Sequence, residues 1–347
     1  MSTAAVNAVV SRSQGRPAAE PPEARGLRRD AVRLLVARTH SVEHAAFSDL
    51  GRHLAPGDLV VVNTSKTLPA AVDGRRDARP MRVHFSAPLD DGSWTAELRA
   101  PDGSGPVVDG RSGEHIELPG GASVEIVSAY SGIEGRSRIV RVRVRGVEGR
   151  VERYLLRAGR PITYSYLREE WPLASYQTIF ARELGSAEMP SAGRPFSNEL
   201  VTDLLTRGVV MAPILLHTAV SSLEQGEVPL PERFRVPAAT ARLVNATRRA
   251  GRRVVAVGTT VTRALETATG EDGRVRPLAG WTDLVLGGDR PARVVDGLIT
   301  GWHPPEASHQ LLLDAVAGAE MVEAAYEAAF ASGYLWHEFG DSCLLLP

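Results

Sequence analysis

The stretch Val254–Glu266, VVAVGTTVTRALE, constrains the chain more than any other. Four small or β-branched apolar residues run into Gly258, Thr259 and Thr260 follow, and Val261 and Leu265 then recur at helical spacing. The segment therefore predicts a buried strand, a tight turn and a helix N-terminus. In an α/β sheet, ligands gather outside the carboxyl ends of the strands, and the free N–H groups of a first helical turn suit an anionic or polar group. The motif alone names no ligand. It lacks the further glycines of a dinucleotide loop, and a bare strand–glycine–helix is also ordinary architecture.

A second strand end has similar character. After the turn Pro56-Gly57-Asp58, the all-apolar Leu59–Val62 delivers Asn63, Thr64, Ser65 and Lys66 to its carboxyl end. Lysine and arginine total 40, yet Lys66 is the only lysine. Arginine serves wherever bulk positive charge is needed, so the lone ammonium invites a chemical reason: a desolvated lysine can lose its proton near neutral pH, and arginine cannot. Chance survival of one lysine in an arginine-biased chain is the plain alternative. His217 closes a third predicted strand, Val209–His217. His303 precedes Pro304 and Pro305, which forces an extended or turn conformation. His40 and His44 have the i, i+4 spacing that metals sometimes use, but no third ligand is near, so no metal site is read there.

Between about Val72 and Val151 the pattern changes. Met81–Ala87 and Ser93–Arg99 flank Asp90-Asp91-Gly92, Glu114–Leu118 and Ser123–Val127 flank Pro119-Gly120-Gly121, and Ser137–Arg145 ends in strict alternation. These are hairpin signals, and short strands at this spacing predict a small antiparallel barrel or sandwich. The expected fold is an α/β sandwich domain (27–71 and 152–347) with an inserted small antiparallel β-barrel domain (72–151), after a disordered arm, Met1–Gly26. Leu27–His53 reads as mainly helical with a strand at Val32–Val36. Asn198 is expected to cap a helix running through Arg207. Thr282–Leu286 and Arg293–Val295 are expected as short strands, and helices are expected at Ala307–Ala317 and Glu320–Ser332. The long segment Ile162–Phe196, rich in Gly, Pro, Ser and Tyr, reads as a functional loop.

At 347 residues the chain has material for two domains. No apolar run is long enough to span a bilayer, and Met1–Gly26 lacks the apolar stretch of a secretion signal, so the expectation is a cytosolic monomer without a membrane partner. The single cysteine, Cys343, excludes an internal disulfide. A net charge of −1 gives no general attraction to nucleic acid. Arg141, Arg143 and Arg145 share one strand face, which is either a local RNA-contacting stripe or a solvated surface.

Taken together, VVNTSKTLPA, SYQTIFAR, GSAEMPSAG, LLH, RRVVAVGTTVTRALE, VVDGLITGWHPP and GDSCLLL resemble, in order and spacing, the S-adenosylmethionine:tRNA ribosyltransferase-isomerases of queuosine biosynthesis. The resemblance covers roughly Leu27 to Leu346. It implies S-adenosylmethionine as co-substrate, no metal, and transfer of its ribosyl part to an aminomethyl-deazaguanine base at the tRNA wobble position, with release of adenine and methionine. It makes Lys66, His217 and His303 candidate proton-transfer groups. Candidate substrate-binding residues are Asn63, Ser65, Tyr176, Gln177, Thr178, Ser191, Gly193, Gly258, Thr259, Thr260, Arg263, Glu266 and Asp296.

Several strings depart from the family pattern. The usual NDTK is Asn63-Thr64-Ser65-Lys66. The usual AAPTAGLHFT is Ala187-Glu-Met-Pro-Ser-Ala-Gly-Arg-Pro-Phe-Ser197, with Pro195 in place of histidine. LHVGLGTF has become Leu216–Leu223 without its glycines, EHxMHxE is reduced to Pro231–Val236, and TNFHLP is Thr300–Pro305 without its asparagine. The changes fall in the expected pocket rather than the scaffold. Three functions follow: the family reaction on tRNA, a nucleoside-dependent reaction on a different, small-molecule acceptor, or a catalytically inert nucleoside- or RNA-binding protein.

Overall fold

A computed structural model describes residues 15–102, 105–220, 230–287, 290–303 and 308–347. The expected residues 1–14 of the arm, residues 221–223, and Pro304 and Pro305 lie outside the described residues.

Buried apolar runs become the middle of a nine-stranded sheet. Its strand order is Leu278–Thr282, Glu232–Val236, Val210–Leu216, Leu59–Asn63, Val254–Val257, Gly297–Gly301, Ser342–Leu346, Arg33–Arg38 and Ser41–Ala46. The four strands from Val210–Leu216 to Gly297–Gly301 are mutually parallel. Leu59–Asn63 and Val254–Val257 are buried at every position, as strands covered on both faces must be. Alternate residues feed two cores. Leu59, Val61, Val254 and Ala256 pack toward the helices Ala238–Arg249, Thr259–Thr267 and Ala319–Ala331. Val60, Val62, Val255 and Val257 pack with Phe47, Phe196, Leu200 and Leu204 on the other face.

The inserted segment closes on itself. Ser123–Ala129, Ile139–Arg145, Trp94–Arg99, Arg79–Pro88, Ala71–Arg76 and His115–Glu117 form a closed six-stranded barrel, antiparallel throughout, whose alternate residues fill a separate core. The expected architecture, an α/β sandwich carrying a small antiparallel barrel, is what the chain adopts. The hairpin turns at Asp90-Asp91-Gly92 and Pro119-Gly120-Gly121 fall as their turn chemistry dictates.

Five local expectations fail. Leu27–His53 is not mainly helical: the strand expected at Val32–Val36 lies at Arg33–Arg38, where it docks between its hairpin partner Ser41–Ala46 and Ser342–Leu346, some 300 residues distant, which no local pattern reports. His40 and His44 therefore lie on a hairpin rather than a helix, and His44 Nδ1 meets the Tyr334 hydroxyl at 2.9 Å. The described part of the arm is fixed. Arg16–Pro17 pairs with Leu335–Trp336, and Glu23 accepts a 2.8 Å bond from Arg194. Ser197, not Asn198, caps the helix Asn198–Thr206, because its hydroxyl accepts from Leu200 N. Arg293–Val295 is not a strand, since its three N–H groups donate instead to the Glu266 carboxylate; the strand lies at Gly297–Gly301, and Leu278–Thr282 replaces the expected Thr282–Leu286.

Candidate active site

The carboxyl ends of the parallel strands carry a connected polar cluster. Asn63, the last residue of its strand, is buried and joins the neighbouring strand end: its amide donates to Leu216 O at 2.8 Å and its carbonyl accepts from Leu216 N at 3.0 Å. The same carbonyl accepts from Ser65 N, which turns the chain so that Ser65 faces inward. Ser65 Oγ then lies 2.7 Å from His217 Nδ1 and 2.5 Å from Ser186 Oγ. Ser186 in turn accepts from Thr218 N. The imidazole lies against Gly185, where a Cβ would fall 2.6–2.7 Å from three ring atoms, so a side chain at that position would displace the ring. Burial lowers the His217 pKa to about 4, and the ring is neutral at pH 7.

The predicted helix start lies on the same edge. Gly258 adopts φ +89°, a conformation suited to glycine, and Thr259–Thr267 begins there without a side-chain cap. The Asn63 amide is 3.4 Å from Thr260 Oγ1, so the Asn63 and Gly258 strand ends form one site. Gln177 braces it by clamping Thr67, accepting from Thr67 N at 3.1 Å and donating to Thr67 O at 2.9 Å. Thr178 Oγ1 accepts from Phe180 N, and its methyl group would lie 3.3 Å from a Cβ on Gly193. Tyr176 is buried against Phe339.

His303 follows the Gly297–Gly301 strand and stacks near His309, ring centroids 4.0 Å apart. Burial and the two nearby histidines, His309 and His337, hold it well below its usual pKa. Ser191, Arg194, Gly301, His337, Glu338 and Asp341 line a small cavity on this side of the sheet.

Other candidates are placed differently. Lys66 is exposed, while Ser65 and Thr67 on either side of it are buried; alternation along the strand sends its ammonium away from His217. The desolvation that motivated its selection is not met. Arg263 is consumed by structure: it pairs with the buried Glu232 and donates to Leu284 O and Thr282 O. Glu266 holds the Arg293–Val295 amides, as above. Asp296 accepts from Val254 N at the amino end of the sheet, the edge opposite the cluster. The sequence reading also missed residues the fold brings in. Ser186 and Glu188 lie within GSAEMPSAG, and His337-Glu338 lie one residue before GDSCLLL. Tyr164 and Tyr166 had only the tyrosine-rich loop as a signal.

A sheet whose central strands are parallel and covered on both faces, ending in a serine–histidine cluster near an uncapped helix, together with a closed barrel, defines an α/β protein whose candidate ligand site is the carboxyl edge of those strands. The chain belongs to the queuosine biosynthesis protein family, whose model matches residues 13–345. It is 36% identical over 330 residues to the S-adenosylmethionine:tRNA ribosyltransferase-isomerase of Symbiobacterium thermophilum, covering 92% of this chain and 94% of that one. It is 35% identical over 346 residues to the enzyme of the same name from Acidiphilium cryptum, covering 95% of each. The crystal structure of S-adenosylmethionine tRNA ribosyltransferase from Thermotoga maritima is similar across 95% of this chain and 96% of that one, with a TM-score of 0.52 and 28% identity.

Proposed function

We propose that the protein transfers and isomerises the ribosyl part of S-adenosylmethionine onto the 7-aminomethyl-7-deazaguanine wobble base of tRNA, releasing adenine and methionine. The observation that carries this reading is the Ser65–His217 contact, linked through Asn63 to an uncapped helix N-terminus, in a chain aligned almost end to end with enzymes of that name. The C5′ hydrogens beside a sulfonium are acidic enough for an enzymic base, and a neutral imidazole is one. With Nδ1–H donating to Ser65 Oγ, and Ser65 donating to Ser186 Oγ, the lone pair on His217 Nε2 is left to take the proton. The first amides of Thr259–Thr267 suit the methionine carboxylate, and an anion bound beside the ring raises its proton affinity. His303, also neutral, stands at the adjacent strand end as a second proton-transfer group.

No group of three or more His, Cys, Asp or Glu among the described residues is arranged to hold a metal ion. No helix among them is long and apolar enough to cross a membrane.

One observation favours a different acceptor. On the barrel, Arg141 pairs with Asp91 and Arg145 with Glu125, which neutralises much of the arginine stripe. A small-molecule acceptor needs no basic track. The test is adenine and methionine release from S-adenosylmethionine with and without tRNA carrying the aminomethyl base. Release that depends on that tRNA supports the family reaction. Binding of S-adenosylmethionine without release under either condition would overturn it and favour the second reading.

A further inference from the structure

Next to the serine–histidine cluster lies a group of side chains that the scheme above leaves unused. Tyr164 and Tyr166 stack with ring centroids 5.8 Å apart and planes 15° apart, and Tyr166 stacks on His337 at 4.5 Å and 13°. Each tyrosine hydroxyl donates to a glutamate carboxylate, Tyr164 to Glu188 and Tyr166 to Glu338. All five residues are half-buried, so each still presents surface to a ligand. The group is joined to the chemistry. Glu188 is two residues past Ser186, and its carbonyl accepts from Thr218 Oγ1, next to His217. At the other end, His337 and Glu338 line the cavity with Gly301 and Ser191.

Each of the two carboxylates holds a phenol donor, and a carboxylate can accept about four hydrogen bonds in all. A further polar group lies within electrostatic reach of Glu338. Tyr176 is only 4% exposed, its hydroxyl has no hydrogen-bond partner among the described residues, and burial together with the Glu338 charge disfavours its ionisation. The backbone also commits to this arrangement: His337 sits at φ +69°, a strained conformation for a residue with a side chain. The family string AAPTAG has alanine where this chain has Glu188.

We propose that Glu188 and Glu338, with the Tyr164–Tyr166–His337 stack, form the acceptor subsite and select a planar base bearing an alkylammonium arm. The rings supply a stacking platform, and the carboxylates receive the ammonium and the N–H edge of the base. This rests on the ribosyl-transfer reading for its choice of base, but it concerns recognition, so binding tests it separately. The probes are the free bases 7-aminomethyl-7-deazaguanine and 7-methyl-7-deazaguanine, which differ in the amine alone. The wild type should bind the aminomethyl base at least about tenfold more tightly than the methyl base, the range of a charge-assisted hydrogen bond. The E188Q/E338Q double variant should lose that preference while its S-adenosylmethionine affinity and Tm stay at wild-type values. H337A should weaken both bases together. Equal binding of the two bases by the wild type, binding of neither, or a preference that survives E188Q/E338Q would overturn the proposal. Adenine release, measured in parallel, reports on the transfer reading independently.

Discussion

At the level of single residues, the fold distinguishes side chains that the sequence treats alike. Lys66 and His217 both follow apolar strands, but only His217 turns inward to meet Ser65. Removing a general base costs about 10²- to 10⁴-fold in rate. His217→Ala should lower turnover by that range with S-adenosylmethionine binding retained, whereas Lys66→Arg, a charge-preserving change at an exposed site, should stay within about twofold of wild type. Steady-state adenine release measures both; an active His217→Ala variant would remove the imidazole from the mechanism. Ser65 and Asn63 were readable as donors beside the strand end. Their actual partners were not, because Leu216, Ser186 and His217 lie more than 100 residues away. Arg263, Glu266 and Asp296 look functional in a motif and make ties within the scaffold, contacts that depend on where Glu232, Arg293 and Val254 fall in space.

Among the elements, the strand–glycine–helix was the most legible part of the chain. Its apolar run, the glycine and the helical spacing all specify one local structure, and the sheet agrees with them. Gly258 is needed twice, for φ +89° and because a Cβ would lie 3.2 Å from that of Ala192. Gly258→Ala should therefore destabilise by about 1–3 kcal/mol and displace the helix start. A denaturant midpoint equal to wild type would contradict that requirement. The barrel was equally legible, since hairpin turns are local signals. Arg33–Arg38 was legible in part: a strand is expected at Val32–Val36 within a mainly helical segment, and the Ser342–Leu346 partner that fixes it lies far off in sequence.

Across the whole molecule, burial sets a common response to acid. His84, His217, His303, His309 and His337 all have lowered pKa values, His217 and His309 to about 4, because folding takes their neutral rings out of water. The unfolded chain binds those protons near pH 6.5 and the folded one does not. The stability they contribute is thus complete above that value and lost as pH falls from about 6.5 toward 4. Glu232 and Glu338, raised mainly by burial, act in the opposite sense and offset part of the loss. Tm measured across that interval should fall; a flat profile would mean that these histidines are protonated in the folded state. The division into sandwich and barrel could be read from pattern alone, whereas the site between strand ends required the long-range order of the sheet.

The placement of Ser342–Leu346 also bears on synthesis. This strand is the bridge by which Arg33–Arg38 and Ser41–Ala46 join the rest of the sheet, and the Leu335–Trp336 segment just before it anchors Arg16–Pro17. A nascent chain with most of its length outside the ribosome still lacks the strand that joins the hairpin of residues 33–46 to the rest of the sheet. The barrel, by contrast, has all its strands by Arg145. Maturation therefore runs inside out, with the middle of the chain settling early and both ends waiting for one another, so the cavity walled by His337 and Glu338 forms only as translation of that segment finishes.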